Sequence, residues 1–409
     1  MLTREALLNR DAADPLRSFR DRFDLPDGMV YLDGNSLGAL PKDTAARLAD
    51  VVAREWGQDL ITSWNKNGWY ELPLTLGNKL GRLIGAAEGQ VAIADSTSIN
   101  LFKVLAAAIA LRPGRKVIIS DSGNFPTDLY MAQGLTTFLG GVDLLVVDET
   151  EVAQSLNENV AAVFLTEVNY RSGRKHDMAA LTQKIHEVGA LAIWDLAHSA
   201  GAFPVHLDAA GADFAVGCGY KYLNGGPGAP AFLYIAKRHQ HQAMPILSGW
   251  MGHAAPFLFD LDYRPADGMR RALAGTPAIL SMRALEVGID LMLEADLSAL
   301  AAKSTALTEV FMRLVEQECP GVFGNVTPAD PARRGSQVCL THAQGYAIVQ
   351  ALIARKVIPD FRAPDILRFG FAPLYVGFAD LWDAVAHLKA IMDSGEWKES
   401  RFAARGSVT

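Results

Sequence analysis

Six short apolar runs constrain this chain more than any other feature: KVIIS (116–120), VDLLVV (142–147), AAVFLT (161–166), ALAIWD (190–195), DFAVGC (213–218) and AFLYI (231–235). Continuous runs of this length suit strands covered on both faces, not half-exposed strands. Helix-like stretches separate several of them. Residues 177–188, for example, set Met178, Leu181 and Ile185 at helical spacing behind a capping Asp177. Strands alternating with helices predict an α/β fold with a mostly parallel sheet.

Either side of this core the pattern changes. A helix is expected over 42–56, after Pro41. Beyond Pro277 the chain turns helix-rich, with helices expected at 278–294, 297–318, 343–355 and 379–392. Strand-like pieces lie at 337–340 and 366–370, which reads as a smaller α/β domain. The stretch 247–275, rich in Gly, Pro, Asp and aromatics, reads as a long functional loop. The division expected is a segment 1–45 packing with the small domain, a large domain 46–275 and a small domain 276–409, ending in a frayed tail at 401–409. Composition excludes several classes. With 38 basic against 45 acidic residues the net charge is −7, and no basic surface for nucleic acid is visible. No apolar run approaches a membrane span, and Arg4 and Glu5 break any signal-peptide pattern. Cys218, Cys319 and Cys339 are odd in number and lack CxxC spacing, which fits a reduced, cytoplasmic setting without a disulfide framework or zinc site. His239-Gln240-His241 follows Lys237-Arg238 and reads as a solvated loop, with no metal expected.

The chemistry concentrates at strand ends. Lys221 stands in Gly219-Tyr220-Lys221-Tyr222-Leu223-Asn224, just after the run 213–218, where α/β proteins place ligands. Alone it reads as a surface lysine in a Gly-rich loop. Asp195 ends the preceding run and alone reads as a helix cap. Together they supply what pyridoxal 5′-phosphate requires: an amine for the Schiff base and an acid to hold the pyridine nitrogen protonated. Ser96-Thr97-Ser98 opens a helix and offers an anion cradle. Phe125, in Asn124-Phe125-Pro126-Thr127-Asp128, is an aromatic that can stack on a flat ring.

In this order the motifs resemble the aminotransferase class V group of aspartate-aminotransferase-like pyridoxal-phosphate enzymes. Within that group they resemble the kynureninase family. The resemblance runs from Tyr31-Leu32-Asp33-Gly34-Asn35-Ser36-Leu37-Gly38 to Arg368-Phe369-Gly370-Phe371-Ala372-Pro373-Leu374-Tyr375, nearly the whole chain, and its narrowest pieces are Tyr220-Lys221-Tyr222-Leu223-Asn224 and Gly249-Trp250-Met251-Gly252-His253. It implies the large-plus-small-domain transferase fold and pyridoxal 5′-phosphate as cofactor. It also implies hydrolysis of L-kynurenine to anthranilate and L-alanine in tryptophan catabolism, with weaker action on 3-hydroxykynurenine. Lys221 is implied as the Schiff-base lysine, Asp195 as partner of the ring nitrogen and Tyr220 as a proton relay. Phe125, Pro126, Thr127 and Asp128 surround the ring, and Thr97, Ser98 and Tyr220 bind the phosphate. Thr166 and His198 line the pocket. Trp250 and Thr276 reach the cofactor phosphate of a neighbouring subunit, which implies a homodimer with sites at the interface. Arg368 clasps the substrate α-carboxylate as a bidentate pair, and Ser36, Trp64 and Gly275 complete the substrate site.

Three alternatives stand beside this reading. A cysteine desulfurase shares Asp195-x-x-His198 but needs a reactive thiol on a mobile loop. A non-catalytic relative has no use for Lys221, Asp195 and Arg368 together. A dinucleotide-binding oxidoreductase lacks its Gly-x-Gly-x-x-Gly in the first 150 residues.

Overall fold

The computed structural model describes residues 1–404. Its central sheet has seven strands: β1 (Val91–Ile93), β2 (Val117–Asp121), β3 (Asp143–Val147), β4 (Val160–Thr166), β5 (Leu191–Asp195), β6 (Phe214–Gly217) and β7 (Phe232–Ile235). The order is β1-β7-β6-β5-β4-β2-β3. Strand β7 is antiparallel to β1 and β6, and the other pairs are parallel. Alternate residues feed two apolar layers. Ile193 joins Phe164, Phe214 and Leu233 on one face; Trp194 joins Leu165, Ala215 and Tyr234 on the other. Double coverage is why these strands read as unbroken apolar runs.

Two strands depart from expectation. Strand β1 has only three residues, too few to show a period, and the sequence does not betray it. Strand β3 is not covered on both faces: it lies at the sheet edge, with Leu145 and Val146 exposed. The expected helix at 42–56 is regular over Asp43–Asp50 and continues as a π-helical turn, Val51–Trp56. His239 is not solvated either, because its Nε2 lies 2.7 Å from buried Asp213.

The second sheet has four antiparallel strands, β8 (Gly324–Asn325), β9 (Gln337–Thr341), β10 (Asp360–Arg362) and β11 (Ile366–Gly370), in the order β8-β9-β11-β10. Phe311, from the helix Leu297–Glu318, packs against Phe369 and Phe371 at ring distances of 4.6 and 5.3 Å. The N-terminal segment is fastened here. Asp11 accepts hydrogen bonds from the Phe378 and Ala379 amides, so it caps the helix Phe378–Ser394 from the far end of the chain. Val30–Tyr31 pairs in parallel with Val357–Ile358. The helix Ile279–Glu294 packs against both Leu72–Ile84 and Asp43–Asp50. The tail differs from the expected fraying over 400–402, where a 3-10 turn buries Phe402; the rest of that expectation, 405–409, lies outside the described residues. Among the described residues no helix is long and apolar enough to cross a membrane.

A buried ion pair pins the N-terminal segment: Lys303 Nζ lies 2.6 Å from Asp14, and both side chains are 6% exposed. Removing one partner strands the other charge in a dry site. Lys303→Ala is therefore expected to cost about 3–5 kcal/mol, read as a fall in the denaturant midpoint; an unchanged midpoint would show the pair to be idle.

Candidate active site

The parallel strands place their carboxyl ends on one edge of the sheet, and the chemically equipped segments leave from that edge. Register sets Thr166, the last residue of β4, beside Asp195, the last of β5. Lys221 follows β6, Asp128 follows β2, and the helix Thr97–Ala110 follows β1. Asn124 ties these segments together: its Oδ1 accepts from Thr166 Oγ1 at 2.5 Å and from the Phe125 amide at 2.7 Å, and its Nδ2 donates to Ser120.

Electrostatics then fixes protonation. His198 is fully buried, and burial together with the nearby Lys221 charge holds its imidazole well below the usual range. The ring is therefore neutral. Its Nδ1–H donates to Gln337 Oε1 at 3.1 Å, which leaves Nε2 as an acceptor 3.0 Å from Lys221 Nζ. Burial also pushes the Asp128 and Asp195 carboxyls up. Asp128 is pushed further, since the Asp195 charge adds to burial, while Lys221 and the Ala197 amide favour ionised Asp195.

These residues suit pyridoxal 5′-phosphate. Asp128 Oδ2 is buried without a hydrogen-bond partner, and Asp195 Oδ2 reaches only Thr166, at 3.5 Å. A protonated ring nitrogen is the donor this carboxyl pair lacks. Phe125 presents a partly exposed ring, held edge-on by Tyr170 at 5.2 Å. Thr97 and Ser98 stand in the first turn of a 14-residue helix behind the Ser96 cap, where amides face an anion. Asp95, just before the cap, is neutralised by Lys103.

A second cluster hangs from the small sheet. Arg368, in β11, is 1% exposed. Its Nη2 donates to Ser36 Oγ at 2.7 Å and to Asp360, and its Nη1 donates to the Tyr170 carbonyl at 3.1 Å. With the Asn35 amide oriented to satisfy both its ends, Asn35 Oδ1 accepts from Arg368 Nε at 3.0 Å. Burial and the Asp360 charge push the Asp33 carboxyl up to about 7. Sequence reasoning assigned no role to Gln337, Asp360, Arg362 or Tyr170. The charged–apolar–charged order of Asp360-Phe361-Arg362 on a strand was the available signal for two of them.

Other expected site residues stand apart within one chain. Gly275 and Thr276 line a cavity of about 180 Å³ with Asp95, Gly228 and Pro230. Trp250 packs edge-on to Phe257, and Trp64 edge-on to Trp69, whose Nε1 donates to buried Glu55. Among the described residues no hydrogen bond or ring contact joins them to Lys221. All three cysteines are buried; burial raises Cys218, pushes Cys319 up to about 11 and pushes Cys339 up to about 12. None is the exposed, activated thiol of a desulfurase.

Comparison with known proteins agrees with this geometry. Residues 300–388 match the family described as "Kynureninase C-terminal domain". The chain is 51% identical over 416 residues to a kynureninase of Burkholderia pseudomallei and 50% identical to one of Pseudomonas fluorescens, each alignment covering 100% of both chains. Among solved structures it is similar to a cysteine desulfurase from Thermococcus onnurineus NA1, with TM-score 0.78 and 17% identity over 92% of this chain and 98% of the other. A cysteine desulfurase from Escherichia coli gives TM-score 0.76, also at 17% identity, covering 93% and 98%. At that identity the likeness is one of fold.

Fold and site together define a pyridoxal-phosphate enzyme of the aspartate-aminotransferase-like class, fold type I. Within that class the family is given by the full-length relatives. The chain belongs to the kynureninase family and is an enzyme with kynureninase activity.

Asp195→Asn removes the charge that would hold the ring nitrogen protonated but keeps the side chain's shape. It is expected to lower kcat by about 100-fold or more with cofactor still bound, as followed by the visible absorbance band; full turnover in this variant would dismiss the assignment.

Proposed function

We propose that the site hydrolyses L-kynurenine to anthranilate and L-alanine, with Lys221 as its central base and acid. The observation that carries this is the 3.0 Å contact between Lys221 Nζ and the neutral Nε2 of His198, next to the buried Asp195–Asp128 pair. When bound, pyridoxal 5′-phosphate supplies an electron sink for charge that develops at the substrate's Cα and Cβ. Asp195, backed by Asp128, holds the ring nitrogen. His198 accepts from Lys221 and orients its Nζ, which takes the proton from Cα. Thr97, Ser98 and Tyr220 hold the phosphate, Phe125 covers the ring, and Pro126 and Thr127 set that ring's loop. Thr166 and His198 close the pocket, and Ser36 and Arg368 receive the substrate carboxylate. In the net reaction hydroxide from water ends on Cγ, giving anthranilate, and a proton ends on Cβ, giving alanine. Burial raises the Tyr220 hydroxyl, so it keeps its proton and relays it beside Lys221.

The aromatic end of the substrate meets Trp64 and Gly275. Trp64 is a rigid wall packed edge-on against Trp69, which Glu55 in turn holds, and Gly275 adds no polar group, so the pocket favours the unhydroxylated ring. Three buried, unpaired thiols suit a reducing cytoplasm. Purified protein loaded with cofactor should release fluorescent anthranilate from L-kynurenine, and Lys221→Ala should abolish this together with the cofactor band. In the same assay 3-hydroxykynurenine should give a kcat/KM lower by up to about 100-fold, and Tyr220→Phe a reduced kcat. A loaded protein that leaves kynurenine intact removes the substrate; equal kcat/KM values remove only the ring preference, and unchanged turnover in Tyr220→Phe only the relay.

The working form is a homodimer in which Trp250 and Thr276 complete the neighbouring subunit's phosphate site. The support is an exposed apolar stretch in one loop: Trp250 with Phe257, Leu258, Phe259 and Leu261. Sedimentation should read two copies, and Trp250→Ala should weaken cofactor retention while the dimer persists. A monomer with full activity would overturn this arrangement.

A further inference from the structure

Arg368 is almost fully committed before any substrate arrives. Its Nε is taken by Asn35, Nη2 by Ser36 and Asp360, and one hydrogen of Nη1 by the Tyr170 carbonyl. One N–H remains, whereas a bidentate clasp of a carboxylate needs two parallel donors. Two residues along β10 from Asp360, on the same face of the strand, stands Arg362. Asp360 lies directly opposite Arg368 in the register, so all three side chains issue from one face of the small sheet. The buried Phe361 points to the other face.

Arg362 differs from Arg368 in what it leaves free. Its Nη2 meets Asp360 at 2.7 Å, its Nε is buried without a hydrogen-bond partner, and its side chain is 36% exposed against 1% for Arg368. Its positive charge is felt at His198, at Tyr220 and at Asp33, so it faces the Lys221 pocket. Two guanidinium groups share the single Asp360 carboxylate, and Asp33 beside them is held partly protonated. The cluster therefore carries an excess of positive charge and unpaired donors.

We propose that Arg362 is the second anchor of the substrate's α-carboxylate: Arg368 gives one N–H from the buried side, Arg362 gives its free donors from the open side, and Asp360 fixes the spacing of both. The inference rests on the reading of this pocket as an amino-acid site. Arg362 belongs to the small sheet, whereas the anion cradle at Thr97 and Ser98 opens the helix that follows β1 of the large one.

Binding of two small amines tests it, followed by the change in cofactor absorbance: L-alanine, which carries the carboxylate, and ethylamine, which does not. In Arg362→Gln the dissociation constant for L-alanine should rise by about 10- to 100-fold, with that for ethylamine unchanged. KM for L-kynurenine should rise with kcat nearly kept, the signature of lost carboxylate binding. Arg362→Lys, which keeps the charge but loses the planar fork, should fall between the two and carries the test if Arg362→Gln does not fold. Equal weakening of both amines, no weakening of either, or a fall in kcat at constant KM would each overturn the inference. Failure of the amino-acid-site reading would look different, since wild-type protein would then not respond to L-alanine at all.

Discussion

The site depends on keeping one ammonium, two carboxyls and one imidazole together at a sheet edge from which water is largely excluded. In such a place each group's protonation is set by its neighbours, not by solvent. Lys221 Nζ lies 3.0 Å from Nε2 of His198, a ring that burial keeps neutral so that it offers only a lone pair. Burial raises both carboxyls of the Asp128–Asp195 pair, Asp128 further because the Asp195 charge adds to burial. A change at any one of these positions therefore resets the others.

This arrangement also ties the two sheets together. Gln337, in the small sheet, accepts the His198 Nδ1–H and donates through Nε2 to the carbonyls of Asn169 and Tyr170 in the large unit. The Tyr170 carbonyl in turn accepts from Arg368. Arg368 and the tautomer of His198 are thus joined through the Gln337 amide and the Tyr170 carbonyl. Nearby, the strand-like segments 173–175 and 333–335 are hydrogen-bonded across the joint, from Lys175 to Arg333 and from Gly335 to Gly173. Movement of the small unit would be felt at Lys221 through this bridge.

Much of this was legible in the sequence, and the limits have physical causes. Strands β2 and β4–β7 announce themselves because both faces are buried, and the Asp195–Lys221 pair is readable because Asp195 ends one such run and Lys221 stands just after the next. Strand β1 is too short to display a period, and β3 has the apolar composition of a buried strand while lying exposed at the edge. Gln337 and Tyr170 act through long-range contacts, partly through a backbone carbonyl, for which no local pattern exists. Arg368 was visible, but the ion pair with Asp360 that commits its donors appears only when β10 and β11 are set in register.

Likeness of fold to cysteine desulfurases shows how little the scaffold decides. A desulfurase must bring an activated thiol to the substrate's sulfur, and such a thiol needs exposure and a cationic or helix-terminal setting that lowers its titration. Here burial drives all three thiols the other way. Cleavage at Cγ of a ketone asks for something else: a base that can both take and return protons, and a firm hold on the substrate's carboxylate while the distant bond breaks. On the proposed reading the first is met at Lys221, beside a neutral histidine, and the second falls to the arginines of the small sheet. The difference in chemistry between two enzymes of one fold thus comes down to where burial has been used to suppress a nucleophile and where it has been used to tune a base.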